Sequence, residues 1–86
     1  MSESIRENVP VQISDELTIV DLSALTQKYK SEIYLKKVVR GSVIEVSLKS
    51  FLGLITLQLQ NGDEITIRAV GEDSEEAVAE VETFFS

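Results

Sequence analysis

The rhythm of apolar and polar positions changes several times along the chain, and each change marks an element. Val9, Val11 and Ile13 alternate with other residues, the period of a half-buried strand, and Pro10 suits an edge or a strand start. After a polar stretch from Ser14 to Glu16, Thr18 with Asp21 three residues on makes an approximate capping box. Leu22, Leu25 and Tyr29 then follow at i, i+3, i+7 spacing, which predicts a helix over 18–30. Glu32–Val39 and Val43–Leu48 are rich in Ile, Tyr and Val. The break between them, Arg40-Gly41-Ser42, predicts a hairpin with Gly41 at positive φ. Asn61-Gly62 is a second hairpin-like signal, and it precedes a strand over 64–70 whose Ile65, Ile67 and Ala69 share one face. Asp73 with Glu76 three residues on caps a last helix, with Ala77, Val78, Val81, Phe84 and Phe85 as its apolar stripe.

The stretch Ser50–Gln60 satisfies two patterns. Ile55, Leu57 and Leu59 alternate like a strand, whereas Ser50 followed by Phe51, Leu52 and Ile55 has the spacing of a capped helical turn. The order is therefore β-α-β-β-(α or β)-β-α, an α+β arrangement with helices covering one face of a largely antiparallel sheet. Residues 1–8 are expected to be a flexible lead, and 9–86 a single domain.

Composition narrows the chemistry. A hydrophobic share of 43% supports a core despite a net charge of −7. With no cysteine there is no disulfide, thiolate nucleophile or cysteine zinc site, and with no histidine there is no serine–histidine triad or histidine zinc site. No paired-carboxylate spacing points to catalysis either, so an enzyme is not expected, and no cofactor is implied. The acidic balance disfavours nucleic acid. The start of the chain lacks the apolar run of a signal peptide and nothing approaches the ~20 apolar residues of a membrane span, so a cytoplasmic protein without membrane attachment is expected. Six of the eight bases lie between residues 28 and 49 and eight of the fifteen acids lie from Asp63 onward, a segregation that reads as solvated faces. Glu72, Asp73, Glu75 and Glu76 lack the spacing of a calcium loop and are explained by a helix first turn.

Three segments together resemble the HPr family, the small phosphocarriers of the bacterial sugar phosphotransferase system. Lys28-Tyr29-Lys30-Ser31-Glu32-Ile33-Tyr34-Leu35 looks like the family's passage from helix one into strand two, and Lys49-Ser50-Phe51-Leu52-Gly53-Leu54 like its K-S-I-M-G-V/L motif. Asn61-Gly62-Asp63-Glu64-Ile65-Thr66-Ile67 with Gly71-Glu72-Asp73-Glu75-Glu76-Ala77 looks like its K-G-x-E-I/V-T-I/V…G-x-D-E-x-E-A run. The resemblance spans about residues 9 to 86. It implies an open-faced β-sandwich of order βαββαβα with four strands, and a short helix from about Ser50 to Leu57.

Two departures accompany the match. Where the family carries its phosphoacceptor histidine in an H-A-R-P-A motif, this chain has Ser14-Asp15-Glu16-Leu17-Thr18-Ile19, with Asp15 at the histidine's place. The hairpin between Leu35 and Ser50 is also about four residues longer than usual. Ser50, by contrast, matches the family's regulatory serine, which a dedicated kinase phosphorylates with ATP. Lys49, Phe51, Leu52 and Ile55 match positions of the surface that docks protein partners. The resemblance thus implies a regulatory docking protein, not a competent histidine phosphocarrier, with Ser50 as its phosphorylation switch and a serine kinase or regulator as partner. The alternative is the same fold reused for unrelated protein binding, with Ser50 only a helix cap. A monomer or weak homodimer is expected.

Overall fold

The computed structural model describes residues 2–12 and 19–85, and of Ile19 and Phe51 the main chain alone. Among these residues lie four strands and three helices, β1 (Glu3–Pro10), α1 (Ile19–Thr26), β2 (Glu32–Val39), β3 (Ser42–Ser47), α2 (Phe51–Leu57), β4 (Glu64–Val70) and α3 (Ser74–Phe84). The strands form one sheet in the order β1-β4-β2-β3, every neighbouring pair antiparallel. Each helical connection out of β1 and out of β3 carries the chain across one intervening strand. The fold is α+β, as the element pattern predicts.

Alternation along β2 and β4 sends Ile33, Leu35, Ile65, Ile67 and Ala69 to one face, where they are buried with Leu22 of α1, Leu54 and Leu57 of α2, and Ala77, Val78 and Val81 of α3. Phe85, fully buried just past α3, meets the ring of Phe84 edge-on at 5.3 Å. The carbonyl of Phe85 accepts from Gln12 N at 2.8 Å, tying the chain beyond β1 to the end of α3. No helix of the described residues is long and apolar enough to cross a membrane.

The opposite face of the sheet is open and is organised by Arg68. Its guanidinium lies 4.4 Å from the ring centroid of Tyr34 and reaches Glu3 Oε2 and Glu45 Oε1 at 3.1 Å each, linking β1, β4, β2 and β3.

Four expectations need correction. The first strand runs over Glu3–Pro10 rather than from Val9 to Ile13, so residues 3–8 are sheet and not a flexible lead; Ile13 is outside the described residues. No apolar alternation marks this half of the strand, because its inward positions are Ser4 and Arg6 while Ile5 points outward. A bulge between Arg6 and Val9, with Asn8 at φ 55°, then shifts the alternation by one so that Val9 faces the core. Helix one ends at Thr26 and not near Lys30: Gln27, Lys28 and Tyr29 donate to carbonyls three residues back, tightening the last turn. Its proposed Thr18 cap is outside the described residues.

Asn61-Gly62, read as hairpin-like, joins α2 to β4 and pairs no strands, although Gly62 does take a positive φ of 95°. Asp73 occupies the N-cap position of α3 but makes no side-chain cap bond. Its carboxylate turns instead to the start of β2, accepting from Lys30 N and Ser31 N at 2.9 Å each and from the Ser31 hydroxyl. Arg40-Gly41, by contrast, forms the expected hairpin loop, with φ of 52° and 80° at its two residues.

The Asp73 clasp requires β2 and the β4–α3 junction to meet at close range, and Gly71 makes this possible. Its φ is 150°, and a Cβ there would stand 2.7 Å from Ser31 Cα. Gly71→Ala should therefore cost about 2–4 kcal/mol in chemical denaturation, combining backbone strain with a clash against main chain that cannot rotate away. The clasp also has a pH signature. The Ser31 hydroxyl, followed by the Lys30 amide, holds the Asp73 carboxyl below the ordinary carboxylate range. A depressed folded-state pKa contributes stability that is present above the unfolded value, near 4, and lost as pH falls through the folded value. Thermal unfolding scans down the acid range should show Asp73→Ala with a lower midpoint at neutral pH and a shallower acid decline than the parent.

Candidate functional site

The segment from Lys49 to Gln58 brings most of the sequence-selected residues together on one short helix. Ser50 has extended backbone (φ −107°, ψ 110°), and its Oγ accepts from Gly53 N at 3.0 Å, as an N-cap requires. The helical reading of this stretch is thus the correct one, and the strand-like alternation of Ile55, Leu57 and Leu59 is incidental. Gly53 lets α2 lie close on β3: a Cβ at that position would be 3.0 Å from Val46 Cβ. The helix buries Leu54 and Leu57 and turns Leu52 (79% exposed) and Ile55 (59%) to solvent.

Both ends of α2 are held. At its C-terminus Gln58 adopts a left-handed conformation (φ 52°) and donates its N–H to Ile55 O at 3.2 Å. Lys37, reaching from β2 with only 13% of its side chain exposed, donates to Gln58 O at 2.9 Å and pairs with Asp63 Oδ2 at 2.7 Å. A cation thereby meets the negative end of the helix dipole, and its hydrogen bond holds the Asp63 carboxyl below its usual range. Asp63 in turn accepts from Gln60 N at 2.9 Å, closing the loop after the helix. The sequence does not single out Lys37, because a lysine in a strand pattern carries no sign of where its side chain leads.

Ser50 and Lys49 are exposed. The Lys49 ammonium is 3.4 Å from Glu32 Oε1 across a solvated gap, a pairing of little energetic consequence. Phe51 opens α2, and its side chain is outside the described residues, as are Ser14, Asp15 and Glu16. α1 lies against α2 and α3 and adds an exposed Val20 (64%), a position off the Leu22, Leu25 and Tyr29 stripe that the spacing singled out. Tyr29 closes the far side of α1, donating to Glu80 Oε2 of α3 at 2.8 Å; burial, and then this carboxylate, push its phenol up to about 12. In the acidic group at α3, the Asp73 carboxylate is engaged by Lys30 and Ser31, and no cluster of acids with metal-holding geometry occurs among the described residues.

A family model described as "PTS HPr component phosphorylation site" matches residues 19–86. The matched stretch begins just past Asp15. The chain is 40% identical over 60 residues to the phosphocarrier protein HPr of Mycoplasma genitalium, covering 70% of this chain and 65% of that protein. It is 43% identical over 51 residues to the phosphocarrier protein HPr of Mycoplasma pneumoniae, covering 59% of this chain and 54% of that one. Less than two thirds of either relative's length is therefore matched. The crystal structure of a phosphocarrier protein HPr from Bacillus anthracis superposes over 100% of both chains with a TM-score of 0.81 at 19% identity. That of HPr-C-His from Thermoanaerobacter tengcongensis covers 99% of this chain and 91% of its own with a TM-score of 0.72 at 21% identity. These two likenesses establish the fold, an open-faced four-stranded sandwich.

The two ends of α2 can be tested separately. Ser50→Ala removes the cap and should cost about 1 kcal/mol. Lys37→Met severs a partly buried charge-assisted hydrogen bond and strands Asp63, for about 1–3 kcal/mol. Hydrogen exchange should show faster amides in α2 for both variants, with those of β1 and β4 protected as before.

Proposed function

Because this chain belongs to the HPr family, whose members are phosphocarriers and not enzymes, we propose that it serves as a regulatory docking protein of the phosphotransferase system and not as a histidine phosphocarrier. One observation carries this reading: a chain with no histidine at all keeps the serine-capped α2 with Leu52 and Ile55 turned outward. Phosphohistidine chemistry needs an imidazole, and Asp15 stands where the resemblance would place one. A carboxylate beside Glu16 is a poor substitute, since like charges oppose a phosphoryl group there.

In this reading α2 is the contact surface. Leu52 and Ile55 supply its apolar part, Lys49 and Phe51 flank it, and the N-terminal turn of α2 offers its main-chain N–H groups to a phosphate on Ser50. A serine kinase would transfer the γ-phosphoryl group of ATP to Ser50 Oγ. That adds about −1.5 to −2 of charge next to Leu52 and alters which partners the surface accepts. The proposed setting is the cytoplasm, with a protein regulator or the kinase itself as partner. A second reading rests on the bond between Ser50 Oγ and Gly53 N: here Ser50 is a cap only, and the fold serves unrelated protein binding.

Intact-mass spectrometry with site mapping separates these. Incubation with the family's serine kinase and ATP should add one phosphate at Ser50, and incubation with enzyme I and phosphoenolpyruvate should add none. Leu52→Asp, with its circular dichroism unchanged, should greatly slow the kinase reaction. No phosphate from either donor favours the cap-only reading, and phosphate from enzyme I overturns the loss of carrier function.

A further inference from the structure

Ser50 has a single charged neighbour on its own stretch of chain. Between Glu45 and Asp63 only Lys49 carries a charge, and the first turn of α2 contains no acid. The Lys49 ammonium stands 3.4 Å from Glu32 Oε1 of β2, with 44% and 51% of the two side chains exposed. A solvated pair of this kind contributes little and changes partners readily.

Glu32 belongs to two surroundings. Besides meeting Lys49, it lines a groove on the open face of the sheet together with Lys30, Tyr34, Arg68 and Glu72. Two cations border this groove, and they differ. Arg68 is held by Glu3 and Glu45, whereas the ammonium of Lys30 has no ion pair or hydrogen bond among the described residues. The main chain of Lys30 is fixed by the bond from its N–H to Asp73, so the side chain starts from a set point at the groove.

We propose that Lys49 carries the state of Ser50 to the open face of the sheet: when Ser50 is phosphorylated, Lys49 leaves Glu32 for the phosphate, and the released Glu32 carboxylate turns to Lys30 in the groove. This rests on the reading of Ser50 as the phosphorylated residue and adds how the mark is transmitted. The phosphate brings about −1.5 to −2 of charge and three acceptor oxygens on the residue next to Lys49, against a single charge on Glu32, so it wins the competition for the ammonium.

The groove then differs between the two states. With Ser50 unmodified, Glu32 is neutralised by Lys49 and Lys30 is free. With Ser50 phosphorylated, Lys30 is neutralised by Glu32, and an anionic group brought to the open face no longer finds a free ammonium there. Phosphorylation thus acts on two surfaces, directly beside Leu52 and through Lys49 on the other side of the sheet. The weakness of the Lys49–Glu32 pair is what suits it to the role, because a strong pair would not yield.

The test is NMR of the full chain with phosphoserine installed at position 50 during translation, in the parent and in Lys49→Met, Glu32→Gln and the double variant. The phosphorus signal follows the second ionisation of the phosphate, ordinarily near 6, and the chain has no histidine to titrate in the same range. Lys49→Met should raise the midpoint by about half a pH unit. Glu32→Gln should lower it while Lys49 is present and leave it almost unmoved in the double variant. Amides of Lys30, Glu32 and Tyr34 should shift on phosphorylation in the parent and not in Lys49→Met. The proposal is overturned if Lys49→Met leaves the midpoint in place, if Glu32→Gln moves it equally with and without Lys49, or if the groove amides do not respond. The phosphate is built in, so a kinase that fails to modify Ser50 counts against the reading of Ser50 and not against this exchange.

Discussion

The carboxylate of Asp73 joins two places that are 42 residues apart in sequence, the start of β2 and the start of α3. It meets two main-chain N–H groups and a hydroxyl at once, so the turn leading from α1 into the central strand is fixed to the turn leading from β4 into the last helix. Two of the three helices that cover the sheet among the described residues, α1 and α3, hang from these two turns. α1 arrives through one and α3 leaves through the other, and Tyr29 with Glu80 repeats the link about two helical turns further along α3. The helix cap that Asp73 gives up in exchange is a local contribution of about 1 kcal/mol, whereas the clasp sets the relative position of two helices. Gly71 belongs to the same arrangement, since only a residue without a side chain lets the β4–α3 turn approach Ser31 so closely.

A comparable logic governs α2. Seven residues form a helix too short to persist alone, and its own sequence contributes a cap at one end and two buried leucines. The rest comes from outside: Gly53 allows close approach to β3, and Lys37 and Asp63 close the far end. Restraint on three sides is what permits Leu52 and Ile55 to stay exposed without the helix rolling over to bury them.

Where a single face and a single period governed a segment, the amino-acid sequence was sufficient. β2 is legible from its Ile, Tyr and Val content, β4 from its alternation, α3 from its apolar stripe, and the Arg40-Gly41 loop from its glycine. Two of the failures trace to side chains that do not follow their own element's pattern. Ser4 and Arg6 occupy the inward positions of β1, so no apolar alternation announces that strand, and the bulge at Asn8 breaks the phase before Val9 restores it. Asp73 looks like a cap by spacing and bonds elsewhere because Ser31 and the Lys30 amide compete for its oxygens. At the candidate site, Ser50, Leu52 and Ile55 were found from a motif, and the clamp from Lys37 was not, since nothing local distinguishes it from Lys36 beside it.

The placement of β1 also bears on how the chain assembles. β2 and β3 meet through a two-residue loop, a contact that closes in microseconds, whereas β1 finds its partner only at the other end of the chain, Glu3 opposite Val70. Its bulge and its polar inward residues give it little apolar surface with which to collapse early. Loop-closure entropy therefore favours the β2–β3 hairpin over the β1–β4 pairing, in which Arg68 receives Glu3 from the far end of the chain.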